Sequence, residues 1–176
     1  MITLVIGGSG SGKSAYAEDL LSEYDKNKYY LATMIVNDQE AQKRVDRHRE
    51  LRKDKGFETI ECSRNIDTVA VSLPEDGSAV VLLECMSNLV ANEMFEHSQA
   101  KSAEEVTAKL LKDIQYLASK VSQLVIISNN VSEDGIEYDS TTMAYIKAIS
   151  DFNVRISEIA DRVVEVVVGI PIVIKE

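Results

Sequence analysis

The sequence is poor in cysteine and proline, with two of each in 176 residues, and it has no apolar run that approaches the length of a membrane span. Cys62 and Cys85 show neither CxxC spacing nor the density of a small disulfide-stapled domain, so we expect ordinary reduced thiols. The first residues also lack the basic and then apolar layout of a signal peptide. These absences predict a cytoplasmic protein that does not enter a membrane.

Basic residues are also fewer than acidic ones. The chain carries 19 lysines and arginines against 29 aspartates and glutamates, which gives a formal net charge of −10. Such a surface repels a polyanion, which argues against a nucleic-acid partner and favours small-molecule chemistry. With 45% hydrophobic residues and no Pro/Gly-rich linker or repeat, the chain is expected to fold as one domain over residues 1–176.

Apolar runs of strand length alternate with longer segments of helical period, which predicts an α/β fold with a mostly parallel sheet flanked by helices. Strands are predicted at Thr3–Ile6, Tyr29–Thr33, Thr59–Glu61, Ala79–Glu84, Leu124–Ser128, Val163–Val168 and around Ile172–Ile174. Helices are predicted from Lys13 to about Tyr24, Asp38 to about Lys53, Ser102 to about Val121 and Ser140 to about Ala160. Gly169 and Pro171 predict that the last two strands form a C-terminal hairpin.

A phosphate-binding loop follows the first predicted strand and opens the first predicted helix, the context in which this motif is meaningful. Its glycines let backbone N–H groups converge on phosphate oxygens, and the helix N-terminus adds its positive dipole end. Lys13 would neutralise the outer phosphates, and the Ser14 hydroxyl can bind Mg²⁺. The residues of this nucleoside triphosphate site are Gly7, Gly8, Ser9, Gly10, Ser11, Gly12, Lys13 and Ser14.

Glu84 ends the apolar strand predicted at Ala79–Glu84. P-loop proteins hold a metal ion beside the phosphates with a carboxylate in this position, so Glu84 is a candidate metal and nucleotide ligand together with Ser14. The alternative is a simple polar cap at the end of a strand.

A basic segment runs from Lys43 to Lys55, with seven basic and three acidic residues in an otherwise acidic chain. Helical spacing places Arg44, His48 and Arg52 on one face, where guanidinium groups suited to phosphate flank an imidazole that can attack phosphorus. Taken alone, the segment is also compatible with a solvated basic helix. His97 lacks such a setting and is interpreted as an exposed loop residue.

Several segments together resemble one enzyme family, the bifunctional adenosylcobinamide kinase and adenosylcobinamide-phosphate guanylyltransferase of cobalamin assembly. The most specific part of the resemblance is the order of two motifs. The P-loop is followed some 35 residues later by the predicted helix that carries His48, here called the histidine helix. The matching segments are Gly7-Gly8-x-x-Ser11-Gly12-Lys13-Ser14, Tyr30-Leu31-Ala32-Thr33, Asp38-x-Glu40, Arg44-Val45-x-x-His48-Arg49, Leu82-Leu83-Glu84-Cys85, Ile127-Ser128-Asn129 and Gly169-Ile170-Pro171.

The resemblance implies a P-loop NTPase-type fold and two activities that use ATP or GTP with Mg²⁺. These are phosphorylation of adenosylcobinamide and transfer of GMP from GTP to the resulting phosphate through a guanylylated histidine, which falls on His48. Lys13 would assist catalysis, and the family's homotrimers imply the same assembly here. By position in the family, further nucleotide contacts fall on Thr33, Met34, Glu50, Leu51, Arg52, Lys53 and Glu61.

Two other functions remain compatible with the residues. One is a different P-loop small-molecule kinase, in which Glu84 or Asp38 positions the attacking hydroxyl and His48 only binds phosphate. The other is a nucleotide-binding regulatory protein that has lost catalysis, which is suggested by Asn130, Val131 and Ser132 where the family usually carries Glu, Val and Gly.

Overall fold

The strands and helices of the computed structural model alternate along the chain, as predicted for an α/β fold. The structure describes residues 1–25, 27–96, 100–131, 135–136 and 138–176. Strands are β1 Ile2–Gly7, β2 Lys28–Ala32, β3 Glu58–Glu61, β4 Val80–Glu84, β5 Gln123–Asn129, β6 Arg162–Val167 and β7 Ile170–Lys175. Helices are α1 Lys13–Leu20, α2 Gln39–Arg52, α3 Met86–Met94, α4 Ala103–Ala118 and α5 Ser140–Ile159, with a 3₁₀ helix at Ile66–Ser72.

One sheet contains these seven strands, in the order β3-β2-β4-β5-β1-β6-β7. Strands β1 to β6 run parallel, and β7 pairs antiparallel with β6, so the predicted C-terminal hairpin is confirmed. The parallel direction brings the carboxyl ends of β1, β2, β4 and β5 to one edge of the sheet. Ligand sites of open α/β sheets lie at this edge.

The core has two layers because helices cover both faces of the sheet. One layer packs α3, α4 and α5 against the sheet, and the other packs α1 against it. Strand β4 shows the consequence in its sequence, since Val80, Val81, Leu82 and Leu83 are all fully buried and only Glu84 at its end is partly exposed. Such continuous apolar runs are expected where both faces of a parallel strand are covered.

Two helical segments were missed by the sequence prediction, and one helix was predicted too long. Helix α1 ends at Leu20 rather than near Tyr24. Helix α3 directly follows β4 and begins after Cys85, whose side chain makes no capping hydrogen bond, so the usual Ser, Thr, Asp or Asn signal is absent. The predicted cap of α4 is confirmed, with Ser102 and Glu105 forming a reciprocal capping box.

In the described part of the chain, none of the helices combines the length and the apolar character needed to cross a bilayer. His97, interpreted from the sequence as an exposed loop residue, and Ser132, which departs from the family's usual glycine, lie outside the described residues.

Candidate active site

The loop between β1 and α1 has the backbone geometry that its glycines predict. Gly10 and Gly12 have φ of 71° and 93°, in the left-handed region that favours glycine. A Cβ at Gly7 would lie 2.5 Å from the Ser11 Oγ and 2.6 Å from the Val166 carbonyl oxygen, so no larger residue fits there. Gly12 is the N-cap of α1, and the helix therefore starts at Lys13 with its N-terminus facing the loop.

Lys13 is buried and turned back onto the loop. Its Nζ donates to the Gly8 carbonyl at 2.8 Å, and the residue is 8% exposed. Burial lowers the pKa of the ammonium group, whereas the nearby Cys85 and Glu84 act in the opposite direction. A cation held at the mouth of the loop in this way is available to the outer phosphates of a nucleotide.

Glu84 connects three side chains that come from three different elements. Its Oε1 accepts a hydrogen bond from the Ser14 hydroxyl at 2.7 Å, and its Oε2 accepts one from the Tyr30 hydroxyl at 2.9 Å. The Nδ1 atom of His48 lies 3.9 Å from the same Oε1. The carboxylate is only 12% exposed, so it is held between the phosphate loop and the histidine helix.

Helix α2 supplies His48, whose side chain is 41% exposed at the mouth of the cleft. Asp38 caps this helix through a hydrogen bond from the Ala41 N–H at 2.7 Å. Arg49 forms an ion pair with Glu61 at the end of β3. Of the predicted basic face, His48 and Arg52 line the cleft, and the side chain of Arg44 lies outside the described part of the structure.

Arg52 packs its guanidinium group on the ring of Tyr30, 3.3 Å from the ring centroid. The residue is 6% exposed, and its Nε and Nη1 atoms are buried without a hydrogen-bond partner. The Tyr30 ring also meets Phe57 edge-on, with 6.5 Å between the ring centroids. Burial, and secondly the Glu84 carboxylate, raise the pKa of the Tyr30 hydroxyl, which therefore remains a donor to Glu84.

Only some of the remaining predicted nucleotide contacts line the cleft. Met34 and Glu61 line it. Thr33 is fully buried, and its hydroxyl bonds the backbone of Glu84 and Cys85 instead. Glu50 and Lys53 have largely exposed side chains that pair with each other at 3.8 Å, and the Leu51 side chain lies outside the described part of the structure.

Sequence reasoning missed a polar group at the ends of β4 and β5. Asn129 donates to the Ser87 hydroxyl at 2.6 Å, and both residues line the cleft with Asn88. Asn153 on α5, which lies in the same layer as α3, donates to the Asn129 carbonyl at 3.1 Å and so helps to fix this group. A usable signal existed in the sequence, because Asn129 directly follows the apolar strand predicted at Leu124–Ser128, where ligand-binding residues of parallel sheets are found.

The cleft holds about 350 Å³ and suits a nucleotide better than a preformed metal centre. Buried polar atoms without partners, namely Ser11 Oγ and the two Arg52 nitrogens, lie at its phosphate loop and its wall. Within the described residues there is no cluster of three or more His, Cys, Asp and Glu side chains that could hold a metal by itself. The Ser14 hydroxyl and the Glu84 carboxylate are oxygen groups of the kind that Mg²⁺ prefers, and together they could hold the ion beside the phosphates of a nucleotide.

Comparison with known proteins gives consistent matches along the chain. Residues 3–174 match the family model described as cobinamide kinase / cobinamide phosphate guanyltransferase. The chain is 30% identical to the bifunctional adenosylcobalamin biosynthesis protein CobU of Salmonella typhimurium LT2 and 29% identical to that of Escherichia coli K12. Both alignments cover 99% of this chain and all of the relative. The corresponding protein CobP of Pseudomonas aeruginosa PAO1 is 25% identical, over 99% of this chain and 98% of the relative.

Proposed function

The chain belongs to the cobinamide kinase / cobinamide phosphate guanyltransferase family, and from that premise we propose that it carries out both reactions in the cleft at the carboxyl edge of its sheet. It phosphorylates adenosylcobinamide with ATP or GTP, and it then transfers GMP from GTP to adenosylcobinamide phosphate. The product is adenosylcobinamide-GDP. His48 is the nucleophile of the transfer, and Lys13 assists both steps.

The position of Glu84 between Ser14 and His48 is the observation that carries this proposal. Its Oε1 is 2.7 Å from the Ser14 hydroxyl and 3.9 Å from the His48 Nδ1. A nucleotide whose phosphates occupy the loop therefore has an imidazole beside its phosphate chain. A kinase needs the loop and the carboxylate, but it has no need of an imidazole at this place.

Guanylyl transfer proceeds in two displacements at the α-phosphorus. With Nδ1 facing Glu84, the lone pair on Nε2 of His48 attacks the α-phosphorus of GTP, and the bond to the bridging oxygen breaks. Pyrophosphate leaves, and Lys13 with the loop N–H groups stabilises its charge. An oxygen of the substrate phosphate then attacks the same phosphorus, the P–N bond breaks, and its electron pair returns to His48.

The kinase step uses the loop more simply. The hydroxyl of the substrate's aminopropanol group attacks the γ-phosphorus and releases its proton to water. The bond from the γ-phosphorus to the bridging oxygen breaks, and the nucleoside diphosphate leaves while held by the loop and Lys13. Ser14 and Glu84 would hold Mg²⁺, which would neutralise negative charge at the phosphates. The base and ribose fit the wall formed by Met34, Arg52 and Glu61.

The setting of the enzyme follows from the same premise. We infer a cytoplasmic enzyme with a small-molecule substrate and no nucleic-acid or membrane partner, in keeping with the net charge of −10. One sheet that contains every described strand supports a single domain over residues 1–176. The homotrimer of the family is proposed here as well, and the exposed apolar strand β7 is a surface on which a second copy can pack.

The test is transfer of label from GTP to the protein. Protein incubated with Mg²⁺ and GTP labelled at the α-phosphate is expected to retain acid-labile, base-stable label, which His48→Ala abolishes. His97→Ala is the matched control because His97 is the only other histidine in the chain. It should label like the unsubstituted protein.

Absence of label in the presence of bound GTP would refute the histidine intermediate. If labelled γ-phosphate still reached adenosylcobinamide in that case, the protein would be a P-loop small-molecule kinase. GTP binding with neither transfer would identify the nucleotide-binding regulatory protein.

A further inference from the structure

The two-residue turn between β6 and β7 places a valine where the hairpin backbone has a positive φ. Its two residues, Val168 and Gly169, both have positive φ, 45° and 82°. Glycine adopts such angles freely, whereas a β-branched residue in the left-handed region is a genuine outlier. The Val168 side chain is 83% exposed, so packing of that side chain within the chain does not explain the conformation.

The phosphate loop is what this turn touches. The Gly169 N–H donates to the Ser11 carbonyl oxygen at 2.7 Å. A Cβ on Gly12 would lie 3.2 Å from the Gly169 Cα, and one on Gly7 would lie 2.6 Å from the Val166 carbonyl oxygen. The backbone of the hairpin thus rests directly on the backbone of the loop, because the glycines leave no side chain between them.

The hydrogen bond to Ser11 fixes the direction of a phosphate-binding donor. The Ser11–Gly12 peptide is trans, so its C=O and N–H point in opposite directions. Holding the Ser11 carbonyl towards the hairpin therefore turns the Gly12 N–H away from it, towards the open side of the loop. In a phosphate-binding loop these N–H groups are the ligands of the phosphates.

We propose that the Val168–Gly169 turn is a positioning element for the phosphate loop, in which the Gly169 amide orients the Ser11–Gly12 peptide so that its N–H faces the bound polyphosphate. The positive φ at Val168 belongs to the same device, since a two-residue hairpin loop that matches the twist of its strands needs positive φ at both residues, and this loop carries the Gly169 amide to Ser11. The proposal depends on one part of the proposed function, which is that the loop binds a polyphosphate.

Inorganic tripolyphosphate is the appropriate probe, because it engages the loop without the base, the ribose or His48. Gly169→Ala keeps the amide N–H but disfavours the positive φ that directs it at Ser11, so it should weaken tripolyphosphate binding about tenfold, the order expected when one hydrogen bond that orders the loop is disturbed. GTP should lose affinity by the same factor, and guanosine should bind unchanged. Binding is measured by calorimetry on the full chain.

Gly77→Ala is the matched control. Gly77 has φ of 70°, and neither glycine has any atom within 4 Å of an added Cβ, so both substitutions introduce the same backbone strain without a clash. Gly77 lies in the turn before β4, away from the loop. Gly169→Asn should recover part of the lost affinity, since Asn enters the left-handed region more readily than Ala.

Tripolyphosphate binding that is equal in Gly169→Ala and the unsubstituted protein would overturn the proposal, and so would equal losses in Gly169→Ala and Gly77→Ala. If Gly169→Ala does not fold, amide exchange in the unsubstituted protein decides instead. The Gly169 amide is expected to be protected and to gain protection when tripolyphosphate binds, and free exchange would refute the role. Failure of GTP to label His48 leaves this measurement intact, so the two proposals fail independently.

Discussion

The Glu84 carboxylate is fixed in the cleft by hydrogen bonds to both of its oxygens. Ser14 and Tyr30 each donate to a different oxygen of the group, which leaves it little freedom to rotate. The Tyr30 ring is in turn held under the Arg52 guanidinium group. Its hydroxyl therefore positions Glu84, and we expect Tyr30 to act on the proposed chemistry through that carboxylate.

Tyr30→Phe should slow guanylylation of His48 about tenfold, because Glu84 loses the donor that fixes its Oε2. The ring and its contacts with Arg52 and Phe57 are retained, so the free energy of unfolding should fall by only about 1 kcal/mol. The measurement is the single-turnover rate of label transfer from GTP, together with thermal unfolding.

Tyr24→Phe provides the comparison for Tyr30→Phe. The Tyr24 hydroxyl donates to Gln123 Oε1 at 2.7 Å, outside the residues that line the active-site cleft. This variant should lose similar stability and label at the normal rate. Equal labelling rates in the two variants would show that the Tyr30 hydroxyl does not position Glu84.

At the scale of elements, a buried charged group joins α3 to α4. Glu93 on α3 is 1% exposed and accepts from the Lys109 ammonium at 2.7 Å and from the Asn65 N–H at 2.8 Å. Lys109 also donates to Asp113 at 2.6 Å. Burial raises the pKa of the Asp113 carboxyl, although the bond from Lys109 acts in the opposite direction. The ammonium group is thus shared by two carboxylates that have little access to water.

Lys109→Met should destabilise the protein by roughly 2 kcal/mol, because Asp113 loses its cation and buried Glu93 keeps only Lys101, at 3.8 Å. The loss should grow as the pH rises above the ordinary aspartate pKa of 3.8. The sign follows because a carboxyl whose pKa is raised in the folded state binds a proton more strongly there, so stability falls as that proton is lost. The difference in free energy of unfolding between the variant and the unsubstituted protein is measured by urea unfolding at several pH values.

Lys147→Met tests whether burial is the cause. Lys147 pairs with Asp151 at the same i, i+4 spacing on α5, but its side chain is 66% exposed. Exposed pairs contribute little, so this variant should remain within about 0.5 kcal/mol of the unsubstituted protein. A comparable loss in both variants would contradict the argument.

At the scale of the whole molecule, the sheet ends in an apolar strand that faces solvent. Six large aliphatic residues of β6, the turn and β7 are between 42% and 83% exposed. They are Val167, Val168, Ile170, Ile172, Val173 and Ile174. An exposed edge strand of this composition is a ready surface for pairing with another chain, which supports the proposed homotrimer.

Ile172→Lys should convert the proposed trimer of 19.5 kDa chains into monomers, measured by light scattering after size-exclusion chromatography. Residue 172 lies opposite Glu165 in the register of the β6–β7 hairpin, so the new ammonium group gains a cross-strand partner and the monomer fold should be retained. A desolvated charge at the subunit contact is costly.

Val154→Lys is the control for the trimer, since Val154 is 61% exposed on α5 and is not part of the exposed aliphatic group of β6, the turn and β7. It should leave the molecular mass unchanged. A trimer that survives Ile172→Lys would place the subunit contact elsewhere on the molecule.

The sequence determined the features that depend on neighbours along the chain. The strand, glycine loop and helix around Lys13, the capping box of α4 and the alternation of strands with helices could all be predicted, because backbone sterics and capping act over a few residues. The same locality explains the failures. Helix α3 carries no capping signal, and nothing local distinguishes the exposed Glu50 and Lys53 from the buried Arg52.

Only the tertiary structure decided which of these features meet. Ser14 and Glu84 are 70 residues apart and touch because the order β4-β5-β1 brings two strand ends together with α1. Tyr30 reaches Glu84 because β2 lies beside β4, and Gly169 reaches Ser11 because β6 lies beside β1. Strand order is set by burial summed over the whole sheet rather than by any local pattern, so these contacts could not be predicted from the sequence.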